Sequence, residues 1–273
     1  MRPETLAGHP THVVRLTEGA RPTLLIHCSL AHAGAWGPLA RALAGPGSGQ
    51  ALTAFDLPGH GRSADWPGTP DFADLSTAVA MALAERLAAA GPLDLVGHSF
   101  GAVVALRLAL EAPQRIRSLT LIEPVLFAAA EPEAAARLRA AEAPMAAALA
   151  RNDRDEAARR FLATWGTGTP WESLSTQERR QAAARIHLIP ASAPALWDDA
   201  AGLLAPGRLE AFDTPALILA GSASPVAMAS ICMELAACLP CADVRKVPGA
   251  GHMLPVTHPI AVAAALADLW RNA

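Results

Sequence analysis

Two glycines flank a serine in LVGHSFGAV (95–103), a G-x-S-x-G pattern made by Gly97, Ser99 and Gly101. A serine hydroxyl attacks a carbonyl when a base takes its proton and donors hold the oxyanion that develops. An apolar run ends just before Ser99, and a helical pattern begins just after it. In that setting the pattern makes a sharp strand-to-helix turn that lifts the hydroxyl above a sheet. Gly97 and Gly101 are then required sterically, because a side chain at either would strike the neighbouring strand or helix. The N–H of Phe100 becomes one oxyanion donor, and helix polarity favours negative charge there. The alternative is a plain glycine-rich turn, since so short a pattern also arises by chance.

Other segments offer the remaining parts of such a centre. LLIHCS (24–29) ends a second strand-like run, and the N–H of Ser29 is a candidate second oxyanion donor. FDLPGHGRS (55–63) reads as a strand followed by a glycine-rich loop. VPGAGHMLPVTHP (247–259) puts His252 in a loop between the last strand and the last helix. Serine first and histidine far downstream is the chain order of one triad arrangement.

Taken together, the strand with its oxyanion loop, D-x-P-G-x-G-x-S at 56–63, G-x-S-x-G and G-x-G-H at 249–252 resemble the α/β-hydrolase fold family. The likeness is to its capped lipase/esterase-like branch, which includes esterases, lactonases and carbon–carbon bond hydrolases. It implies that Ser99 is the nucleophile and His252 the base. Two positions depart from the family pattern. His27-Cys28 stands where His-Gly is usual, and Ser224, in GSASPV, stands where an aspartate is common. A neutral hydroxyl stabilises an imidazolium poorly, and loss of a triad carboxylate costs on the order of 10⁴ in rate. Some family members carry the acid one strand earlier. Glu123, closing SLTLIE (118–123), holds that position, beside the nucleophile strand at about 4.8 Å if the sheet order follows the family. A helix cap or an arginine pair is the other reading of Glu123. Asp213 precedes its strand at the wrong end, and Asp198, Asp199 and Glu210 lie in an insertion.

These parts imply a serine hydrolase of a small carboxylic ester, lactone or thioester, acting through Ser99, His252 and Glu123 and an acyl-enzyme. Ser29 and Phe100 supply the oxyanion hole. Neither a metal nor an organic cofactor is needed. A carbon–carbon bond hydrolase with the same triad remains open, as does a non-catalytic ligand-binding protein on this fold. Halide- or epoxide-opening chemistry is disfavoured, because it needs a carboxylate where Ser99 stands.

The elements that must position these residues alternate along the chain. THVVRL, PTLLIH, ALTAFD, LDLVGH, SLTLIE, PALILAG and ADVRKV read as strands. AWGPLARALA, DLSTAVAMALAERLAAA, GAVVALRLALEA and PIAVAAALADLWRNA read as helices, the second capped by Asp74 and stopped at Gly91-Pro92. Such alternation predicts an α/β fold with a mostly parallel sheet flanked by helices. Between 127 and 212 it gives way to Ala-, Arg- and Glu-rich helical pieces, predicting a cap inserted into a core of residues 1–126 and 213–273. His32, His98, Trp165 and Trp197 are candidate pocket residues, and Trp171 a further candidate for its ceiling. Packing is the competing role for all of them. His27 and His60 are read as loop supports.

Bulk properties set the frame. At 273 residues and 52% hydrophobic, the chain can bury one large core. Charged residues make up 17%, with net charge −3 and no basic run, which disfavours a nucleic-acid partner and leaves a small-molecule substrate. Pro, Gly and Arg interrupt every candidate membrane span, and MRPETLAGHPTHVV lacks an apolar core of signal length. A cytoplasmic location with reduced Cys28, Cys232, Cys238 and Cys241 is therefore expected. Cys238-x-x-Cys241 follows a helical pattern and precedes a strand, the reverse of a redox pair, so ordinary thiols are expected there. Monomer and homodimer stay equally open.

Overall fold

The computed structural model describes residues 3–44 and 49–273. Near the start, β1 (Glu4–Leu6) and β2 (His9–Thr11) make a separate antiparallel hairpin. Its turn residues Ala7 and Gly8 both have positive φ, the two-residue geometry that matches strand twist. The sequence reading missed this hairpin, because its strands are three residues long and carry little alternation.

Among the described residues the main sheet has seven strands, each matching a strand-like run of the sequence. They are β3 (Val13–Arg15), β4 (Arg21–Ile26), β5 (Gln50–Phe55), β6 (Leu93–His98), β7 (Ile116–Ile122), β8 (Ala216–Gly221) and β9 (Ala242–Val247). Their order is β3-β5-β4-β6-β7-β8-β9, with β3 antiparallel to β5 and the other pairings parallel. Sheet order thus places β7 directly beside β6.

The central strands are apolar on both faces, as a covered parallel sheet requires, while the edge strands β3 and β9 are partly exposed. In β4, Leu24 and Ile26 pack into one layer and Leu25 into the other; in β8, Ile218 opposes Leu217 and Leu219. One layer joins the sheet to α2 (Phe72–Leu87), α3 (Phe100–Glu111) and α8 (Val226–Cys238). The opposite layer joins it to α1 (Gly37–Leu43) and α10 (Pro259–Asn272). Each fully buried Leu, Ile or Val contributes about 1.5–3 kcal/mol by leaving water. Helix α2 corrects one expectation. Its cap is Asp71, whose carboxylate accepts from the Ala73 and Asp74 amides, while Asp74 pairs with Arg107. The helix therefore starts about one turn earlier than an Asp74 cap places it.

Between β7 and β8 the described chain forms helices and no strand: α4 (Pro132–Ala150), α5 (Arg154–Trp165), α6 (Thr176–Arg185) and α7 (Leu188–Trp197). Met145, Ala148, Ala157, Ala158, Ala182 and Ile186 give α4–α6 a small core of their own. Leu188 and Leu196 instead tie α7 to the main core. Cys238 ends α8 and Cys241 is exposed before β9; both thiols are free.

The floor of the sheet is closed by a charge cluster. Asp94, fully buried at the start of β6, accepts from Arg21 at 2.5 and 2.9 Å, from the Ser118 hydroxyl at 2.7 Å and from Arg117 at 3.3 Å. Arg21 also donates to the Trp270 carbonyl at 2.7 Å, pinning the end of α10.

Candidate active site

Ser99 joins β6 to α3 in a backbone conformation that side chains rarely adopt, φ 57° and ψ −121°. The strain persists because both flanks are fixed. Ser99 N–H donates to Ile122 O at 2.9 Å, and its carbonyl accepts from Ala102 N–H at 2.9 Å. A Cβ on Gly97 would lie 2.3 Å from Gly101 O, and one on Gly101 would lie 2.3 Å from Ile26 O. Only hydrogen fits at either place, as the G-x-S-x-G reading requires.

His252 occupies the loop between β9 and α9 (Leu254–Thr257). Its Nε2 is 2.9 Å from Ser99 Oγ, and its Nδ1 is 3.0 Å from Glu123 Oε2. The carboxylate keeps the ring proton on Nδ1, so Nε2 accepts from the serine hydroxyl. The three side chains are almost wholly buried, at 6%, 4% and 0% exposure for Ser99, His252 and Glu123. Glu123 follows β7 at φ 50°. Its amide donates to Leu219 O at 2.8 Å, and its Oε1 accepts from Gly221 N–H at 2.6 Å. Among the described residues it neither caps a helix nor pairs with an arginine. Gly221 also lets the histidine loop approach, since a Cβ there would meet Ala250 O at 2.3 Å. Ser224 sits in the same turn, yet its buried hydroxyl has no partner.

Ser29 lines the same cavity as Ser99. Neither its amide nor that of Phe100 donates to a protein acceptor among the described residues. Two neutral imidazoles hold the Ser29 loop. His27 accepts from Leu57 N–H at 2.9 Å and donates to Cys28 O at 2.7 Å. His60 accepts from Leu30 N–H at 3.1 Å and donates to Pro58 O at 2.9 Å. Burial above all holds their pKa values down, to about 4 for His27 and about 3 for His60. Asp56 welds the loops further, accepting from Ala33 N–H at 2.7 Å and Arg62 N–H at 2.8 Å. The unusual Cys28 turns inward. Its thiol contacts Met253 Sδ at 3.9 Å, and burial pushes it up to about 12.

A cavity of about 430 Å³ opens on Ser99 and is lined mainly by apolar groups, including Val125, Phe127, Ile189 and Leu196. Trp165 and Trp197 line it as well. Trp165 packs against His252 in a T-shaped arrangement, ring centres 4.7 Å apart. Two pocket candidates lie elsewhere. His98 is buried beneath His252, donating from Nε2 to its carbonyl at 2.9 Å, with a pKa that burial lowers to about 3. It fails to reach the cavity because its strand position points it under the histidine loop. Exposed His32 turns back on its own backbone, its Nδ1 accepting from Gly34 N–H at 3.1 Å. Trp171 packs with the α4–α6 core, away from this cavity. Arg139 and Glu142 of α4 line the cavity and were not anticipated. Their spacing with Ala143 and Ala146 marks one helix stripe, the signal available in the sequence. Which stripe faces the serine is decided by tertiary packing.

No helix of the described residues is long and apolar enough to cross a membrane. The family model described as alpha/beta hydrolase fold matches residues 22–259. A pimeloyl-[acyl-carrier protein] methyl ester esterase of Methylococcus capsulatus is 40% identical over 129 residues, 44% of this chain and 44% of that protein. The chain spans well under half the length of the curated relatives it matches, 20% to 44% across the first five. A hydrolase from Pseudomonas aeruginosa superposes with a TM-score of 0.74 at 25% identity, over 96% of this chain and 95% of that one. A thermophilic esterase from Thermogutta terrifontis gives 0.71 at 21% identity, over 97% and 94%. Sheet order, turn geometry and these matches agree: the chain belongs to the α/β hydrolase fold family.

Proposed function

We propose that this protein is a serine hydrolase of carboxylic esters that works through Ser99, His252 and Glu123. The observation that carries the reading is the continuous relay Ser99 Oγ–His252–Glu123, with steps of 2.9 and 3.0 Å. His252 Nε2 takes the hydroxyl proton as Ser99 Oγ bonds to the ester carbonyl carbon. The oxyanion forms between the free amides of Ser29 and Phe100, at the start of α3. His252 returns the proton to the leaving alcohol, and Glu123 offsets the imidazolium charge meanwhile. Water, deprotonated by His252, then releases the acid. Residues 127–212 act as the cap over this centre, with Trp165 and Trp197 excluding water from it. The methyl ester esterase relative supports ester over carbon–carbon bond cleavage.

A fluorophosphonate probe tests the reading. It should label Ser99 in the intact protein, with p-nitrophenyl esters turned over. Ser99→Ala should lose both. Absent labelling and absent turnover together would leave a ligand-binding protein.

A further inference from the structure

Apart from Ser29, Ser99 and Ser192, the polar groups lining the cavity beside Ser99 lie on one wall. Arg139, Glu142, Ala143 and Ala146 of α4 face it at spacings of three and four residues, the stripe one helix face presents. Met145 and Leu149 line the cavity too, and Met145 and Ala148 pack into the α4–α6 core and hold the stripe in place. The two alanines leave space, and the two charged residues sit together toward the N-terminal end of the stripe.

Arg139 is the one cation lining this cavity among the described residues. Its guanidinium lies 4.0 Å from the Trp197 ring centre, and Trp197 packs on Phe127 at 4.5 Å. A face-on aromatic contact leaves the N–H edge of a guanidinium free. Arg139 is exposed to solvent and makes no salt bridge among the described residues, while its charge acts on Glu142 through space. Glu142 does not neutralise it by contact. Its Oε1 instead accepts from Trp165 Nε1 at 3.3 Å, and burial raises its pKa. Trp165 in turn rests on His252. The polar wall is therefore one indole away from His252, and an exposed guanidinium fork, stacked on Trp197, stands on it.

Resting on the ester-hydrolase reading above, we propose that Arg139 is an anion subsite and that the preferred ester carries a carboxylate at the far end of its acyl chain. The methylene chain crosses the apolar part of the cavity. The distal carboxylate meets the Arg139 fork, the geometry in which arginine binds carboxylate best. Glu142 tunes the subsite: neutral, it offers a proton to the same carboxylate; ionised, it opposes it.

The test compares half-esters with isosteric neutral esters, in which a terminal methyl replaces the carboxylate. Monomethyl adipate, suberate and sebacate are paired with methyl hexanoate, octanoate and decanoate. The readout is the ratio of kcat/KM within each pair. The wild type should favour the half-ester of the best-fitting length. Arg139→Met should lower that ratio about tenfold, chiefly through KM, as loss of one charge-assisted fork predicts. Arg139→Lys should keep part of it, and Glu142→Gln should raise it about two- to threefold. Equal losses on both esters in Arg139→Met would show only packing on Trp197 and overturn the subsite. A wild-type ratio at or below one at every length would do the same. Failure of the hydrolase reading looks different: neither ester of any pair is cleaved and Ser99 is not labelled.

Discussion

Two buried carboxylates mark opposite ends of the same pair of strands, and they are treated in opposite ways. Asp94, at the start of β6, is met by Arg21, Arg117 and the Ser118 hydroxyl. Glu123, just past the end of β7, is met by one backbone amide and one imidazole. The first charge is balanced by cations and serves the fold. The second is fully buried with no full cation beside it, and the backbone carrying it has positive φ. On the proposed mechanism, stability is given up at one end for proton transfer, while the other end holds the sheet. A carboxylate's role in this fold follows from what faces it, not from its burial.

The largest effect that would break the comparison is in rate. Glu123→Gln presents an amide donor to His252 Nδ1, which forces the ring proton onto Nε2 and blocks its role as base. Turnover of p-nitrophenyl acetate should fall on the order of 10⁴-fold, while the urea midpoint shifts little. Ser224→Ala should leave turnover nearly intact; the reverse pattern would move the acid to that turn. Asp94→Ala should do the opposite of Glu123→Gln. It leaves two arginines facing each other at the floor and should cost about 3 kcal/mol in urea unfolding, with kcat of the folded enzyme nearly unchanged. A large loss of kcat without loss of stability would collapse the distinction.

A smaller and graded effect comes from the neutral histidines under the site. His27, His60 and His98 titrate at about 4, 3 and 3 in the fold, because burial penalises their charged forms. Unfolded, each takes a proton near 6.5. Between pH 6.5 and roughly 3–4 the unfolded chain therefore binds more protons, and stability falls as pH falls. The slope is about 1.4 kcal/mol per pH unit for each histidine once the unfolded ring is charged. Above pH 6.5 the three contribute no slope. Urea melts across that range check the sign, and His60→Gln should flatten the curve by about one histidine's share.

Much of this was legible in the sequence. Short apolar runs ending at Ile26, His98, Ile122 and Gly221 marked the strand tips, and the glycine spacings marked where backbones must touch. Ser99 and His252 followed from those spacings, because each needs a specific local turn. Glu123 followed only through the family likeness, since nothing local distinguishes it from any glutamate after a strand. The pocket was the least legible part. His32 and His98 are near the serine in sequence or in the family layout, yet side-chain direction takes one to solvent and the other under the histidine loop. Arg139 and Glu142 belong to a helix whose rotation is set by Met145 and Ala148 packing against α5 and α6. No local pattern encodes that rotation.

On the proposed mechanism, the indole of Trp165, in T-shaped contact with His252, would be an optical reporter of the charge on that ring. A protonated imidazole quenches a neighbouring indole, and a neutral one does so far less. Emission from this one tryptophan among six, isolated by difference against Trp165→Phe, should then track that charge in real time. Stopped-flow fluorescence can therefore time the arrival and departure of that charge in substrates with no chromophore.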